Sequence, residues 1–271
     1  MGKYSIKELE RISGIKAHTI RIWEKRYQII NVSLLNNHGM KISKIAGMSF
    51  EEISAKVLDM TETKPEAHVY IDQLAVAMID MEEEPFEKTL GTVIKKFGFE
   101  RCVIEVVYPF LEKIGILWQT GNITPAHEHF ISNLIRQRLI VSIAALPIPI
   151  KKSKKAILFL PEGELHEIGL LFFHYLTRKK GFKTIYLGQS VPHHDLKTIY
   201  QIHHPHVLIT SFTSYPPAVL FEKYIQTLST EFQAATILAS GLQLRNTAFR
   251  IPKNVKPFYK ATELPALLDL I

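Results

Sequence analysis

From about residue 156 onward, short apolar runs alternate with amphipathic stretches, so that 156–160, 184–187, 206–210 and 235–239 read as strands with helical periodicity between them. Strands roughly 25 residues apart, each followed by a helix, argue for a parallel sheet wound on both faces. Open sheets of this kind bind ligands along the carboxyl edge of their strands. Residues with chemistry fall at that edge. Glu164-Leu165-His166-Glu167-Ile168-Gly169 follows the first strand; Ser211-Phe212-Thr213 comes after 41 intervening residues, and Ser240-Gly241 after 26 more. His166, Ser211 and Gly241 each stand just past a strand end. An imidazole can ligate a metal, while a small hydroxyl and a glycine let a backbone come close. The combination suits a large planar cofactor with a buried tail. Glu164, two residues before His166, can accept the proton of the free ring nitrogen and orient the imidazole.

This spacing resembles the fingerprint of the cobalamin-binding domain family, an acid-x-His-x-x-Gly, a Ser-x-Leu and a Gly-Gly at the same intervals. Here Glu164 stands for the usual Asp, Thr213 for the Leu and Ser240 for the first Gly. The resemblance implies a Rossmann-like, flavodoxin-type α/β domain over 152–271. It further implies cobalamin as cofactor, with His166 as lower axial cobalt ligand and Glu164, Gly169, Ser211, Thr213, Ser240 and Gly241 around it. A second group of histidines, His193, His194, His203, His204 and His206, straddles a helix and a strand start without metal-ligand spacing and reads as solvated or packing histidines.

The 271 residues are enough for two or three domains with cores of their own, and 46% hydrophobic content is ordinary. A single cysteine, Cys102, excludes an intramolecular disulfide and sits in an apolar helical pattern, as a core residue does. No apolar run reaches 18 residues and no signal-type segment opens the chain, so a reducing cytoplasm is expected. The net charge of +7 is uneven: residues 1–48 hold nine Lys/Arg against three Asp/Glu, a surplus of six. That asymmetry points to a polyanion as partner of the N-terminal segment.

The same segment carries a helix-turn-helix pattern. Ser5-Ile6-Lys7-Glu8 is a capping box, Ile6, Leu9 and Ile12 repeat at helical spacing, and Ser13-Gly14 breaks the helix. A second helix over 17 to about 27 can turn Ile20 and Trp23 inward and His18, Arg21 and Lys25 outward, the shape that enters a major groove. Thr19-Ile20-Arg21-Ile22-Trp23-Glu24-Lys25-Arg26-Tyr27 resembles the start of MerR-family winged-helix regulators. The resemblance implies operator DNA as partner over 1–60, with Lys16, His18, Thr19, Arg21, Lys25 and Arg26 as contacts. The chain departs from that pattern after Tyr27, where a wing and a further helix are expected but 28–35 run directly on to Lys41-Ile42-Ser43-Lys44-Ile45.

Between the two regions the polar run Thr61-Glu62-Thr63-Lys64-Pro65 reads as a linker. Four helical patterns follow, 65 to about 81, 85–97, 99 to about 118 and 125 to about 145. Short breaks separate them, which makes an antiparallel four-helix bundle the natural packing over 65–148. Trp118 ends the third pattern, and Glu128-His129 follows after nine residues, beside the expected cap Thr124-Pro125. Taken alone, a Trp at a helix end is usually core and a Glu-His pair in a first turn is often capping. In this order of domains, however, the set resembles light-sensing, adenosylcobalamin-dependent MerR regulators of the CarH/LitR type. That resemblance implies a bundle covering the upper corrin face, with Trp118 packed on the adenosyl group, Glu128 bonded to it and His129 near cobalt, becoming the upper ligand after light.

The resulting expectation is a cobalamin-dependent photoreceptor and transcriptional regulator, a repressor and not an enzyme, forming a dimer or tetramer that changes with light. Two alternatives stay open at this point. A corrinoid methyl carrier would pair the same α/β domain with a helical cap, and a regulator could sense cobalamin or another tetrapyrrole without light.

Overall fold

The computed structural model describes residues 65–119, 123–150, 152–247 and 249–271, together with positions 40, 44, 48, 49, 52 and 56. The expected helix-turn-helix, with Lys16, His18, Thr19, Arg21, Lys25 and Arg26, lies outside the described residues, as do Thr61 to Lys64 of the linker, whereas Pro65 is the first residue of a helix. Just before the linker, Ser49 and Glu52 form a reciprocal cap: Ser49 N–H donates to Glu52 Oε2 at 2.7 Å, and Glu52 N–H donates to Ser49 Oγ at 3.2 Å. The chain divides into two compact units, Met1–Leu134 and Ile135–Ile271.

In the first unit the described residues are helical. Helices α1 (Pro65–Ile79) and α2 (Glu83–Phe97) pack side by side. In α1, Ala67, Ile71, Leu74 and Met78 are buried at i, i+4, i+7 and i+11; in α2, Phe86, Leu90 and Val93 repeat the stripe. Glu83 and Glu84 in the first turn of α2 and Lys95 and Lys96 in its last complement the helix dipole. Gly98, at φ 83°, ends it. The third helical pattern is a composite of α3 (Phe99–Cys102), a π-helical turn (Val103–Val107) and α4 (Tyr108–Gln119). The wider turn resets the apolar stripe so that Val103, Val106, Val107 and Phe110 are all buried. Cys102 is buried, as its pattern suggested. Helix α5 (Pro125–Ala144) follows, and the boundary between the units falls inside it.

The second unit is built on a parallel sheet in the order β2-β1-β3-β4-β5. Its elements are β1 (Lys155–Pro161), α6 (Glu167–Lys179), β2 (Lys183–Val191), α7 (His193–His203), β3 (Val207–Ser211), α8 (Ala218–Glu231), β4 (Thr236–Ser240), β5 (Val255–Pro257) and α9 (Leu264–Asp269). Successive residues Ala156 to Leu160 of β1 are all fully buried, so both faces of that strand are covered. On one face Ile157 and Phe159 join Phe212, Phe221, Ile225, Leu228 and Phe232 in a single cluster; α6 packs against β1, β2 and β3 and against α9. Each of these rings contributes roughly 1.5–3 kcal/mol relative to exposure. Because β2 and β3 flank β1 on opposite sides, the chain reverses direction between β1 and β3, which opens a crevice at their carboxyl ends. The short edge strand β5 was not anticipated; three residues that include Pro257 are too few to show a period.

Gly241 follows β4 at φ 111°, and a Cβ built there would stand 2.2 Å from the carbonyl oxygen of Phe212. The glycine is therefore required by the protein's own backbone crossing from the β3 loop. Gly241→Ala is expected to lower the unfolding free energy by about 2 kcal/mol or more. Urea denaturation would measure this, and an unchanged midpoint would mean that the Phe212 segment moves aside without strain.

Candidate functional site

The loop after β1 and the loop after β3 meet at the crevice, and one carboxylate joins them. Glu164 is fully buried. Its Oε1 accepts from groups of its own loop: Leu165 N–H at 3.0 Å, His166 N–H at 3.2 Å and His166 Nδ1 at 2.5 Å. Its Oε2 accepts from three successive backbone amides of the other loop, Thr213 at 2.9 Å, Ser214 at 2.7 Å and Tyr215 at 3.0 Å. Burial opposes ionisation, but it is outweighed by the hydrogen bond from His166 and by the backbone donors of Ser214, Tyr215 and His166. The carboxyl is held well below its ordinary range. An ionised carboxylate only accepts, so His166 Nδ1 carries a proton and metal ligation falls to Nε2.

His166 is the residue just before α6, and its side chain is 57% exposed. Its backbone, at φ −76° and ψ 73°, is the centre of an inverse γ-turn closed by Glu167 N–H donating to the Leu165 carbonyl at 2.8 Å. The end of β2 supports the same loop. Gln189 Nε2 donates to the Leu165 carbonyl at 2.6 Å, Ser190 N–H to the Glu164 carbonyl at 3.2 Å, and Gly163 N–H to Ser190 Oγ at 3.1 Å.

The remaining fingerprint residues are distributed around this loop. Ser211 and Ser240 are the buried last residues of β3 and β4 and are paired in register. Thr213 contributes its amide to Glu164, and Gly241 lies beneath Phe212. Gly169 is in the first turn of α6, and a Cβ built on it would meet nothing within 4 Å. Open space at the third helical residue after the histidine leaves room for a large group against the helix. In the first unit, Glu128 and His129 are exposed near the start of α5. Trp118 belongs to α4, and its side chain lies outside the described residues. The expected Thr124 cap is modified: the hydroxyl and N–H of Thr124 both engage His127 Nδ1, at 2.8 and 3.2 Å, while its carbonyl accepts the His127 N–H at 3.0 Å.

Sequence reasoning did not single out Glu167, Arg136 and Tyr186. Glu167 is buried; Arg136 Nε donates to its Oε2 at 2.8 Å and the Tyr186 hydroxyl to its Oε1 at 2.9 Å. Burial first, and then the Glu167 carboxylate, push the Tyr186 phenol far up, so it remains a donor. The only sequence signal was the acid next to the histidine. Two of the other histidines have separate partners: His193 Nε2 meets Glu231 at 3.0 Å, and His206 Nδ1 accepts the Lys155 N–H at 3.2 Å. Among the described residues no helix is long and apolar enough to cross a membrane.

Residues 70–141, the helical segment, match the family model of a B12 binding domain, and residues 4–42 match that of a MerR HTH family regulatory protein. The chain is similar to the HTH-type transcriptional repressor CarH of Myxococcus xanthus, 25% identical over 220 residues covering 71% of this chain and 73% of that protein. It is also similar to the HTH-type transcriptional repressor CarA of the same organism, 27% identical over 203 residues covering 69% and 68%. Among solved structures the Methanosarcina barkeri monomethylamine corrinoid protein superposes with a TM-score of 0.60 at 15% identity, over 75% of this chain and 99% of that one. That likeness concerns the fold alone.

Glu164→Gln would place an amide group among N–H donors and is expected to destabilise the protein by about 3 kcal/mol at neutral pH. Because the folded-state pKa lies below the ordinary 4.5, this stabilisation is present above that value and is lost as pH falls through the folded value. Urea denaturation at pH 7 and in acid should show the two proteins converging in acid. An undiminished gap there would mean that the charge does not hold the loops.

Proposed function

We propose that this chain, a cobalamin-binding transcriptional regulator of the CarH/CarA kind, is a light-responsive repressor that uses adenosylcobalamin to set its oligomeric state and thereby its hold on operator DNA. The observation that carries the cofactor reading is His166, an exposed imidazole at the switch-point crevice whose Nδ1 is tied to a buried carboxylate. This donor set suits cobalt in a corrin: one nitrogen ligand oriented from behind, and open space at Gly169 beside it. Bound adenosylcobalamin supplies a visible chromophore and a weak cobalt–carbon bond that light can break.

In this reading His166 would hold the cobalt through Nε2 and Glu164 would keep its tautomer. Ser211, Thr213, Ser240 and Gly241 would line the rim of the same crevice. Trp118, Glu128 and His129 belong to the segment matched as a B12 binding domain and would contact the cofactor's adenosyl group in this reading. His129, exposed near the start of α5, would supply a second nitrogen donor to the cobalt after light in this reading. A change of this kind in the helical segment would alter the surface used for self-association. The segment matched to MerR regulators would place Lys16, His18, Thr19, Arg21, Lys25 and Arg26 on DNA. An oligomer presents several such heads to several half-sites, so dissociation lowers operator affinity through lost effective concentration. The protein in this reading is a regulator and not an enzyme. A corrinoid methyl carrier is the second reading, favoured by the fold likeness to the monomethylamine corrinoid protein; the MerR-matched segment weighs against it.

Reconstitution with adenosylcobalamin in darkness, followed by green light, with absorption spectra and size-exclusion chromatography on both samples, tests the proposal. The expected outcome is a stable dark complex whose spectrum and oligomeric state both change on illumination, and whose formation fails in His166→Ala. Binding without any light change beyond that of the free cofactor would sink the photoreceptor part. Methyl transfer with an added partner enzyme would favour the carrier.

A further inference from the structure

We propose that Arg136 and Tyr186 are positioning residues for His166, acting through the buried carboxylate of Glu167. The inference rests on the cobalamin reading above and concerns how the ligand histidine is aimed. An inverse γ-turn is closed by one hydrogen bond, here Glu167 N–H to the Leu165 carbonyl, so the direction of the His166 Cα–Cβ bond depends on what holds the chain on either side. Upstream the holder is Glu164. Downstream the next residue is Glu167, the first of α6, and its side chain is the anchor. Each carboxylate oxygen has one donor, Arg136 at 2.8 Å and Tyr186 at 2.9 Å.

The two donors come from different elements. Arg136 lies on the part of α5 that belongs to the second unit, and Tyr186 lies on β2. The Tyr186 ring is itself gripped by the helix it supports. It stacks on His174 of α6 at 4.9 Å between centroids and 13° between planes, and His174 Nε2 meets Thr184 Oγ1 at 2.8 Å. Gly188 adjoins this pair; a Cβ there would make ordinary contacts of 3.5 Å with Glu167 Oε1 and 3.6 Å with the Tyr186 ring, so its φ of 80° and not a lack of space is what favours glycine. A buried carboxylate is tolerated only when paired. Without Arg136, Glu167 retains a single neutral donor, and its most accessible response is to turn toward water, which takes the first turn of α6 and the adjoining γ-turn with it. Arg136 is 49% exposed and Tyr186 can lose its hydroxyl without losing its ring, so both can be changed without emptying the core.

The test uses the full chain and hydroxocobalamin as probe, comparing wild type, H166A, R136A, R136K and Y186F. Readouts are the dissociation constant, the absorption signature of histidine ligation and the thermal midpoint of the apoprotein. R136A is expected to weaken binding roughly tenfold or more and to lower the histidine-ligated fraction, with Y186F shifting both in the same direction. R136K, which keeps a charge near Glu167, should recover most of the loss. Wild-type affinity and spectrum in both R136A and Y186F would overturn the proposal. So would losses that track the thermal midpoint and are not recovered by R136K, since these would mark a purely structural role. If wild type and H166A behave alike, the histidine-ligated cobalamin reading itself fails, and this inference falls with it.

Discussion

The Glu164 carboxylate is the constraint on which the ligand edge of the second unit depends. Two loops that leave a parallel sheet at its switch point have no ladder to hold them together, because the pairing of β1 with β3 ends at Leu158 and Ile209. Their amides still need acceptors. Glu164 supplies these with one oxygen for each loop and uses the remaining capacity of Oε1 for His166 Nδ1. A buried anion among fixed N–H dipoles is stable as an anion, so the histidine holds its Nδ1 proton toward Glu164 and is presented with a defined tautomer.

Around that carboxylate the structure uses close backbone approach and paired charge instead of apolar contact. Gly241 admits the Phe212 backbone, the end of β2 donates into the β1 loop, and Glu167 carries a second paired negative charge one residue beyond the histidine. The apolar cluster beneath, with Phe159, Phe212 and Phe221 at its centre, supplies a rigid floor. Rigidity there and polar satisfaction at the rim are complementary.

The helical unit answers a different requirement. Its α1 and α2 stripes are regular, whereas the third helix contains a π-helical turn that brings consecutive apolar residues into the core. The match of 70–141 to a B12 binding domain falls on these helices, and the segment matched to MerR regulators precedes them. The helices of this unit bury one stripe each, whereas the central strand of the second unit is buried on both faces.

The sequence by itself determined the order of segments, the parallel sheet and the Glu164–His166 contact. Each depends on periodicity or on residues close together along the chain: apolar runs at strand spacing, stripes at helical spacing, and an acid two residues before a histidine. The composite third helix escaped notice because a π-helical turn shifts the period by one residue, and β5 did so because three residues have no period. Tertiary structure alone decided who shares Glu164 and Glu167. The donors Thr213, Ser214 and Tyr215 lie 49–51 residues from Glu164, and Arg136 and Tyr186 lie 31 and 19 residues from Glu167. Backbone amides carry no signature of residue type, and an arginine on one helix has no pattern linking it to an acid on the next. Such partners are chosen by where strand order and helix packing bring them, which is a property of the folded chain.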